Sequence, residues 1–315
     1  MPLFLLQRIA VLAATLVIAS LIVFAVMQIL PGNAAETILG PTATPEAVAA
    51  LAHRLGLDLP LHVRYARWIA GLLQGDLGVS YAYDSPIAPL IGSSLLVSAP
   101  LAVMAMALSA AIALSAGVYA AERRGRTGDA VVMGLTQVGL AVPNFWLAIL
   151  MVIVFAVTLR LAPAGGFPGW ANPARALGAL VLPAVALGVV QAAILTRITR
   201  SALIEALNED YMRTARAKGV SRRAALWRHA LPNALAPVLT IMGLQFANLI
   251  AGAIVVENVF VLPGLGRLML QSISNRDTLV VEDCVMLIAI LVIGLNFVVD
   301  VACAAIDPRL RNPVA

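Results

Sequence analysis

Charged residues are scarce in this sequence. Only 12% of its 315 residues are Asp, Glu, Lys or Arg, against roughly 25% in an ordinary soluble domain, and the mean hydropathy is +0.95. That excludes a water-soluble globular protein, which would need more polar surface than this chain possesses. Lysine is almost missing. The single one, Lys218, precedes Gly219 and not Ser or Thr, so there is no G-x-x-x-x-G-K-[ST] loop to cradle nucleotide phosphates. The three histidines, His53, His62 and His229, form no ligand cluster, and no metal site is expected in the chain. The two cysteines, Cys284 and Cys303, fall on one predicted helix; they are expected as small buried hydrophobes and not as a disulfide framework. Neither G-x-S-x-G nor H-E-x-x-H occurs, so the chain is not expected to be an enzyme.

Apolar residues are abundant, and they come in blocks. Uncharged runs cover Ile9–Ala35, Ser85–Ala121, Ala130–Leu159, Ala176–Thr196, Ala230–Val256 and Cys284–Val299. Crossing a bilayer takes roughly 20 apolar residues in a helix. The first five runs suffice, and the sixth needs Val301–Ile306 to complete it. The expected fold is an all-α polytopic membrane protein with six transmembrane helices, at about 9–30, 95–121, 131–158, 176–196, 234–256 and 283–306, in one transmembrane domain over residues 1–315. The first run is too long for a cleaved signal and ends in Pro31-Gly32, so it is expected to be retained.

The basic residues orient these spans. With the N-terminus inside, the inner segments hold Arg8, Arg123, Arg124, Arg126, Arg197, Arg200, Arg213, Arg216, Lys218, Arg222, Arg223, Arg228, Arg309 and Arg311, fourteen of the 21 Lys and Arg residues. The positive-inside rule then predicts both termini in the cytoplasm, an external loop over 31–92 and a cytoplasmic insert over 197–232. In the external loop, TPEAVAALAHRLG reads as a helix with Thr44 as N-cap, Pro45 at its first position and Gly56 as its stop. A second helix is expected from Pro60 to the GDLG turn at Gly75–Gly78, with Val63, Ala66, Ile69 and Leu73 on an apolar face that lies on the membrane surface or against other helices. Another external loop, Glu257–Asp277, has a Pro-Gly-x-Gly turn followed by an amphipathic stretch. Pro100, Pro143 and Pro183 are helix breakers inside spans two, three and four, tolerated in a membrane where neighbours satisfy the freed carbonyls.

The insert is the most polar part of the chain. Glu205–Lys218 is helix-prone, Gly219 is a natural stop, Ser221 caps a second helix over Arg222–Ala230, and Pro232 opens the fifth span. Two short helices meeting at a glycine would make a protruding elbow. Ala215, Val220, Ala224, Ala225 and Trp227 offer apolar contact to a partner's groove, and the arginines offer charge. The alternative is a basic loop facing lipid headgroups. Polar residues in spans are costly. Asn144, Gln191, Gln245 and Asn248, with Gln137 and Asn296, are therefore candidates to line a substrate path or to bond helices together. Asp300 is expected to pair structurally near the cytoplasmic end.

YMRTARAKG, followed by twelve residues and Pro232, resembles the EAA loop of binding-protein-dependent ABC importer permeases. PGNAAETILG, LGLDLPLHVRYARWIAGLLQGDLGVS, VPNFWLAILMVIVF, VVENVFVLPGLGRLMLQSISNRD and NFVVDVACAAIDPRLR resemble the first permease subunit of the peptide and nickel branch. Arg213 stands where many members have glutamate. The resemblance implies the type I importer permease fold, with a coupling helix seated on a separate ATPase. It implies that Arg213, Thr214, Ala215, Arg216, Ala217, Lys218, Gly219 and Pro232 form or frame that contact. The implied partners are a second, similar permease subunit, two ATPase subunits that bind ATP and Mg, an extracytoplasmic substrate-binding protein and the lipid of a bacterial inner membrane, with no nucleic acid. No cofactor is expected on this chain. The implied cargo is di- or oligopeptides, glutathione included, with nickel or a nickel chelate as the alternative within the branch. An ion-coupled secondary carrier is the less favoured alternative: it would show paired broken helices in two inverted halves and intramembrane acids or bases for coupling, and six spans with a single buried acid fit that poorly.

Overall fold

The computed structural model describes residues 2–29, 34–40, 42–54 and 56–306. Pro31-Gly32, Arg309 and Arg311 lie outside the described residues. The helices are α1 (Pro2–Ile29), α2 (Ala34–Leu39), α3 (Pro45–Arg54), α4 (Leu61–Gln74), α5 (Ile87–Glu122), α6 (Thr127–Ala141), α7 (Asn144–Met151), α8 (Pro173–Asn208), α9 (Asp210–Ala217), α10 (Arg222–Ala225), α11 (Leu231–Val259), α12 (Leu265–Ser274) and α13 (Thr278–Ile306). Strands β1 (Val79–Ser80) and β2 (Ser85–Pro86) form a small antiparallel hairpin, and π-helical turns follow α7 and α10.

Among the described residues, five helices are long and apolar enough to cross a bilayer: Leu6–Ile29, Ile87–Glu122, Pro173–Asn208, Arg222–Val259 and Thr278–Val301. The pair Thr127–Ala141 and Asn144–Thr158 makes a sixth only as a broken span, bent by 96°. The break falls at Pro143, the helix breaker placed inside the third span. The ring of Pro143 forces Val142 into extended backbone, with ψ 120°. Pro100 and Pro183 do not interrupt their helices, because α5 and α8 run through them. At 36 residues each, these two are some 54 Å long at 1.5 Å per residue, well beyond the roughly 30 Å of a hydrocarbon core. The first part of the insert, 197–208, is thus the end of α8 and not a separate element.

The contacts divide the chain into two compact units. The first comprises Met1–Ile9, Ala99–Leu262 and Gly294–Ala315. Its core is built on α8 and α11, with Leu187, Leu195, Leu203, Val238, Leu249 and Val256 almost fully buried. Small residues allow α5 to lie close to α8. A Cβ at Gly188 would stand 2.8 Å from the carbonyl oxygen of Ala105, and one at Gly117 would stand 2.7 Å from the Thr199 side chain. Arg200 of α8 grips Asp129 of α6 in a two-pronged ion pair, its Nη2 donating to Oδ2 at 2.7 Å. Arg8 pairs with Asp300 at 2.7 Å, the structural partnership expected of that acid.

The second unit comprises Ala10–Ser98 and Pro263–Ile293. Its core joins Ile87 and Ile91 of α5 to Leu265 and Leu268 of α12 and to Val280 and Cys284 of α13. Thr44 caps α3 by accepting from the Ala47 amide, and α4 ends at Gly75 in left-handed backbone, both as expected. On the apolar stripe of α4, Leu73 is 84% exposed, so that part of the stripe does not pack within the unit. Tyr65 and Trp68 anchor the helix instead. Their rings lie 5.4 and 6.2 Å from that of Phe24 on α1, and the Trp68 Nε1–H donates to Asp283 Oδ1 at 2.8 Å. Large rings bury more area than the aliphatic residues of the opposite stripe, and they win the packing.

Asp129→Asn leaves the Arg200 charge buried without its counterpart, a loss on the order of 3 kcal/mol. The purified variant should melt several degrees below wild type. Equal melting midpoints would mean that the pair contributes nothing.

Candidate functional site

The elbow begins where Glu209 leaves helical geometry, with ψ 152°. α9 follows and is closed by two backbone bonds: the Gly219 amide donates to the Arg216 carbonyl at 2.9 Å and the Val220 amide to the Ala215 carbonyl at 3.2 Å. This is a Schellman closure, which needs left-handed backbone at its fifth residue, and Gly219 supplies it with φ +82°. Space is no constraint there, because a Cβ at Gly219 would meet nothing within 4 Å; the demand is conformational. Ser221 caps α10 by accepting from the Ala224 amide at 3.3 Å. The π-helical turn Leu226–Ala230 then leads into α11, with Pro232 in its first turn.

One face of the elbow is built into the first unit. Met212, Ala225, Leu226 and Ala230 are buried in one cluster with Leu203 and Ala206 of α8 and Ala234 and Val238 of α11, and Val220 packs against it. Val220 and Ala225 therefore serve the chain's own core and not a partner's groove, which corrects the expectation for both. Trp227 does face outward, at 51% exposure. The other face is polar. Arg213, Thr214, Arg216, Ala217, Lys218 and Gly219 are exposed, and Ala215 is half-buried. Arg213 meets Asp210 at 3.3 Å with both side chains open to solvent, a geometry that contributes little stability and leaves the guanidinium available. Burial raises the pKa of the Tyr211 hydroxyl, partly offset by a hydrogen bond with Asn233, so this tyrosine stays neutral at physiological pH.

The polar residues of the spans are also brought together in part. Gln191 on α8 reaches the Gln245 carbonyl of α11 at 3.5 Å, and Gln245 Oε1 accepts from Asn248 at 2.8 Å. Asn144, the first residue of α7, lies against α11, where a Cβ at Gly252 would stand 2.5 Å from its Nδ2. Its buried Oδ1 has no hydrogen-bond partner. Gln137 is exposed on α6, and Asn296 faces Gly243, so neither joins this group. Reasoning from sequence missed Met212 and Leu226 as the anchors of the elbow. It also missed Glu282 and Asp283, placed at the edge of the last span but in fact buried one turn inside α13. Two adjacent acids opening an apolar run were the available signal.

Five long apolar helices, a broken sixth and a polar elbow rooted between two of them make the architecture of an ABC importer permease. A chain of the MetNI methionine ABC transporter, in a structure of its inward-facing conformations, shares this fold with a TM-score of 0.54 and 20% identity, covering 69% of this chain and 96% of its own. The protein belongs to the family of binding-protein-dependent transport system inner membrane components, matched over residues 113–312, with the N-terminal membrane component matched over 1–114. A permease of Brucella abortus (strain 2308), provisionally named for a peptide transport system, is 41% identical over 97% of this chain and 98% of its own. The glutathione transport system permease protein GsiC of Salmonella paratyphi A is 40% identical over 98% of each. The chain is thus the non-catalytic, multi-pass membrane subunit of an ABC importer, a class that works with ATPase and substrate-binding partners.

Met212→Ala opens a cavity under α9 and should cost about 2–5 kcal/mol. Local opening exposes backbone to proteases. Trypsin should therefore cut faster after Arg213, Arg216 and Lys218 than in wild type, as read by mass spectrometry, while an unchanged cleavage rate would show that the cluster does not hold the elbow.

Proposed function

We propose that this chain is a permease for di- and oligopeptides, glutathione among them. The observation that carries this cargo is near-full-length identity of 40–41% to relatives named for peptide and glutathione transport. The orientation is the one that the basic residues favour: both termini and the elbow in the cytoplasm, and loop 31–92 outside. A second, similar permease subunit completes the path, two ATPase subunits bind ATP and Mg, and this chain binds no cofactor.

In this account, Arg213, Thr214, Ala215, Arg216, Ala217, Lys218 and Gly219 sit in a cleft of one ATPase, while Pro232 fixes the start of α11 behind them. The exposed cations favour an acidic rim on that cleft. When ATP draws the ATPases together, the elbow moves with its cleft. Because its other face is packed on α8 and α11, those helices must follow. Asn144, Gln191, Gln245 and Asn248, joined across α7, α8 and α11, offer amide donors and acceptors to peptide groups along the path.

Ala215→Asp and Gly219→Asp each place a carboxylate at the contact, and the latter also strains a left-handed position. Both variants should insert at normal levels yet lose at least nine-tenths of ATP-driven peptide uptake in vesicles holding the whole complex. Full uptake by either would remove the elbow as the coupling element, and uptake driven by an ion gradient without ATP would remove the importer mechanism.

A further inference from the structure

The second unit contains a cavity of about 270 Å³ that the coupling account does not use. Among its lining residues are Phe24 of α1, Arg64, Arg67 and Trp68 of α4, Asp76 just after that helix, Tyr81 of the hairpin turn, and Glu282 of α13; Asp76 already accepts from the Gly78 amide. Glu282 is 6% exposed, and its buried Oε1 has no hydrogen-bond partner. The adjacent acids are better provided for. Asp283 accepts from Trp68 at Oδ1, although its buried Oδ2 has no partner, and Asp277 accepts from Ser80 and the Ala82 amide. An ionised carboxylate left alone away from water is costly, and proteins keep one mainly where a cation or donor comes to meet it.

The cavity also carries the opposite charge. Arg64 donates one N–H to Gln28 at 2.8 Å and retains the rest of its fork. Arg67 lines the same space from an exposed position, its guanidinium beside Gly56. Among the described residues, no ion pair joins either arginine to Glu282. Two acids, Asp76 and Glu282, and two guanidiniums thus line one space, with no direct ion pair between them among the described residues. Trp68, Phe24 and Tyr81 add aromatic faces that favour an ammonium group or an apolar side chain. Burial, reinforced by Asp277, raises the Tyr81 pKa, so that hydroxyl is kept protonated and can donate.

We propose that this cavity binds a small zwitterion of amino-acid or dipeptide size, its ammonium on Glu282 and its carboxylate on Arg64 and Arg67. The proposal deepens the cargo and topology given above: loop 31–92 lies outside in that topology, and the cavity would meet peptide released by the binding protein. A solely cationic ligand would leave the arginines unmatched, and an anion would leave the acids, Glu282 above all, unmatched.

The test uses the whole permease–ATPase complex in nanodiscs, without its binding protein, titrated with glycylglycine, N-acetylglycylglycine and glycylglycine amide. Saturable binding of glycylglycine is expected, with each blocked derivative at least tenfold weaker. Glu282→Gln should abolish discrimination against the N-acetyl form and spare discrimination against the amide; Arg67→Met, at an exposed position, should do the reverse. Retained ATPase co-purification shows that the variants assemble, and if Glu282→Gln does not, the Arg67→Met split still decides. No saturable binding, or variants that keep both preferences, would overturn the site. Binding of lysine amide in place of glycylglycine would also overturn it, pointing to a partner's basic side chain. A complex that imports peptide but shows no such binding refutes this inference alone. One that binds glycylglycine here but imports no peptide refutes the cargo alone.

Discussion

Met212, Ala225 and Leu226 sit at the junction of α8, the elbow and α11, and their burial there ties the elbow to both helices. A loop held only by its ends would absorb a push by bending at its softest torsions. This one presents eight residues of α9 whose apolar side is locked in a close-packed cluster. Packed interiors resist deformation, so displacement of the polar face must appear as displacement of the helices beneath. Gly219 and Ser221 complete the device by turning the chain sharply without leaving α9 or α10 short of hydrogen bonds.

The lipid solvent explains much of the remainder. Where no water can satisfy a backbone amide, the chain must satisfy itself, and long helices are the result. Association between such helices gains little from hydrophobicity and depends on close approach, which explains why Gly117 and Gly188 stand where α5 meets α8. Some buried charged groups find partners: Arg200 and Asp129 meet with two parallel bonds, and Trp68 donates to Asp283.

Features set by local chemistry were legible in the sequence. The Thr44 and Ser221 caps, the Gly75 and Gly219 stops and five of the long helices all follow from residues within a few positions of one another. Features set by distant neighbours were not. Pro143 breaks its helix while Pro100 and Pro183 leave theirs whole, although the three rings are chemically the same. The aromatic anchoring of α4 was not legible, because Tyr65 and Trp68 pack on Phe24, more than forty positions away. In the elbow, the pattern of charges identified the outward residues. It could not tell that Val220 and Ala225 turn inward, since alanine and valine suit a partner's groove and a private core equally well.

The most direct measurement is a photo-crosslink from the exposed face of α9. A photoreactive amino acid at Thr214, in the complete complex in native membranes, should capture an ATPase subunit, and the yield should change when ATP is supplied. Capture of lipid alone, or of no ATPase chain under any nucleotide condition, would contradict the claim that this elbow is where chemical work enters the permease.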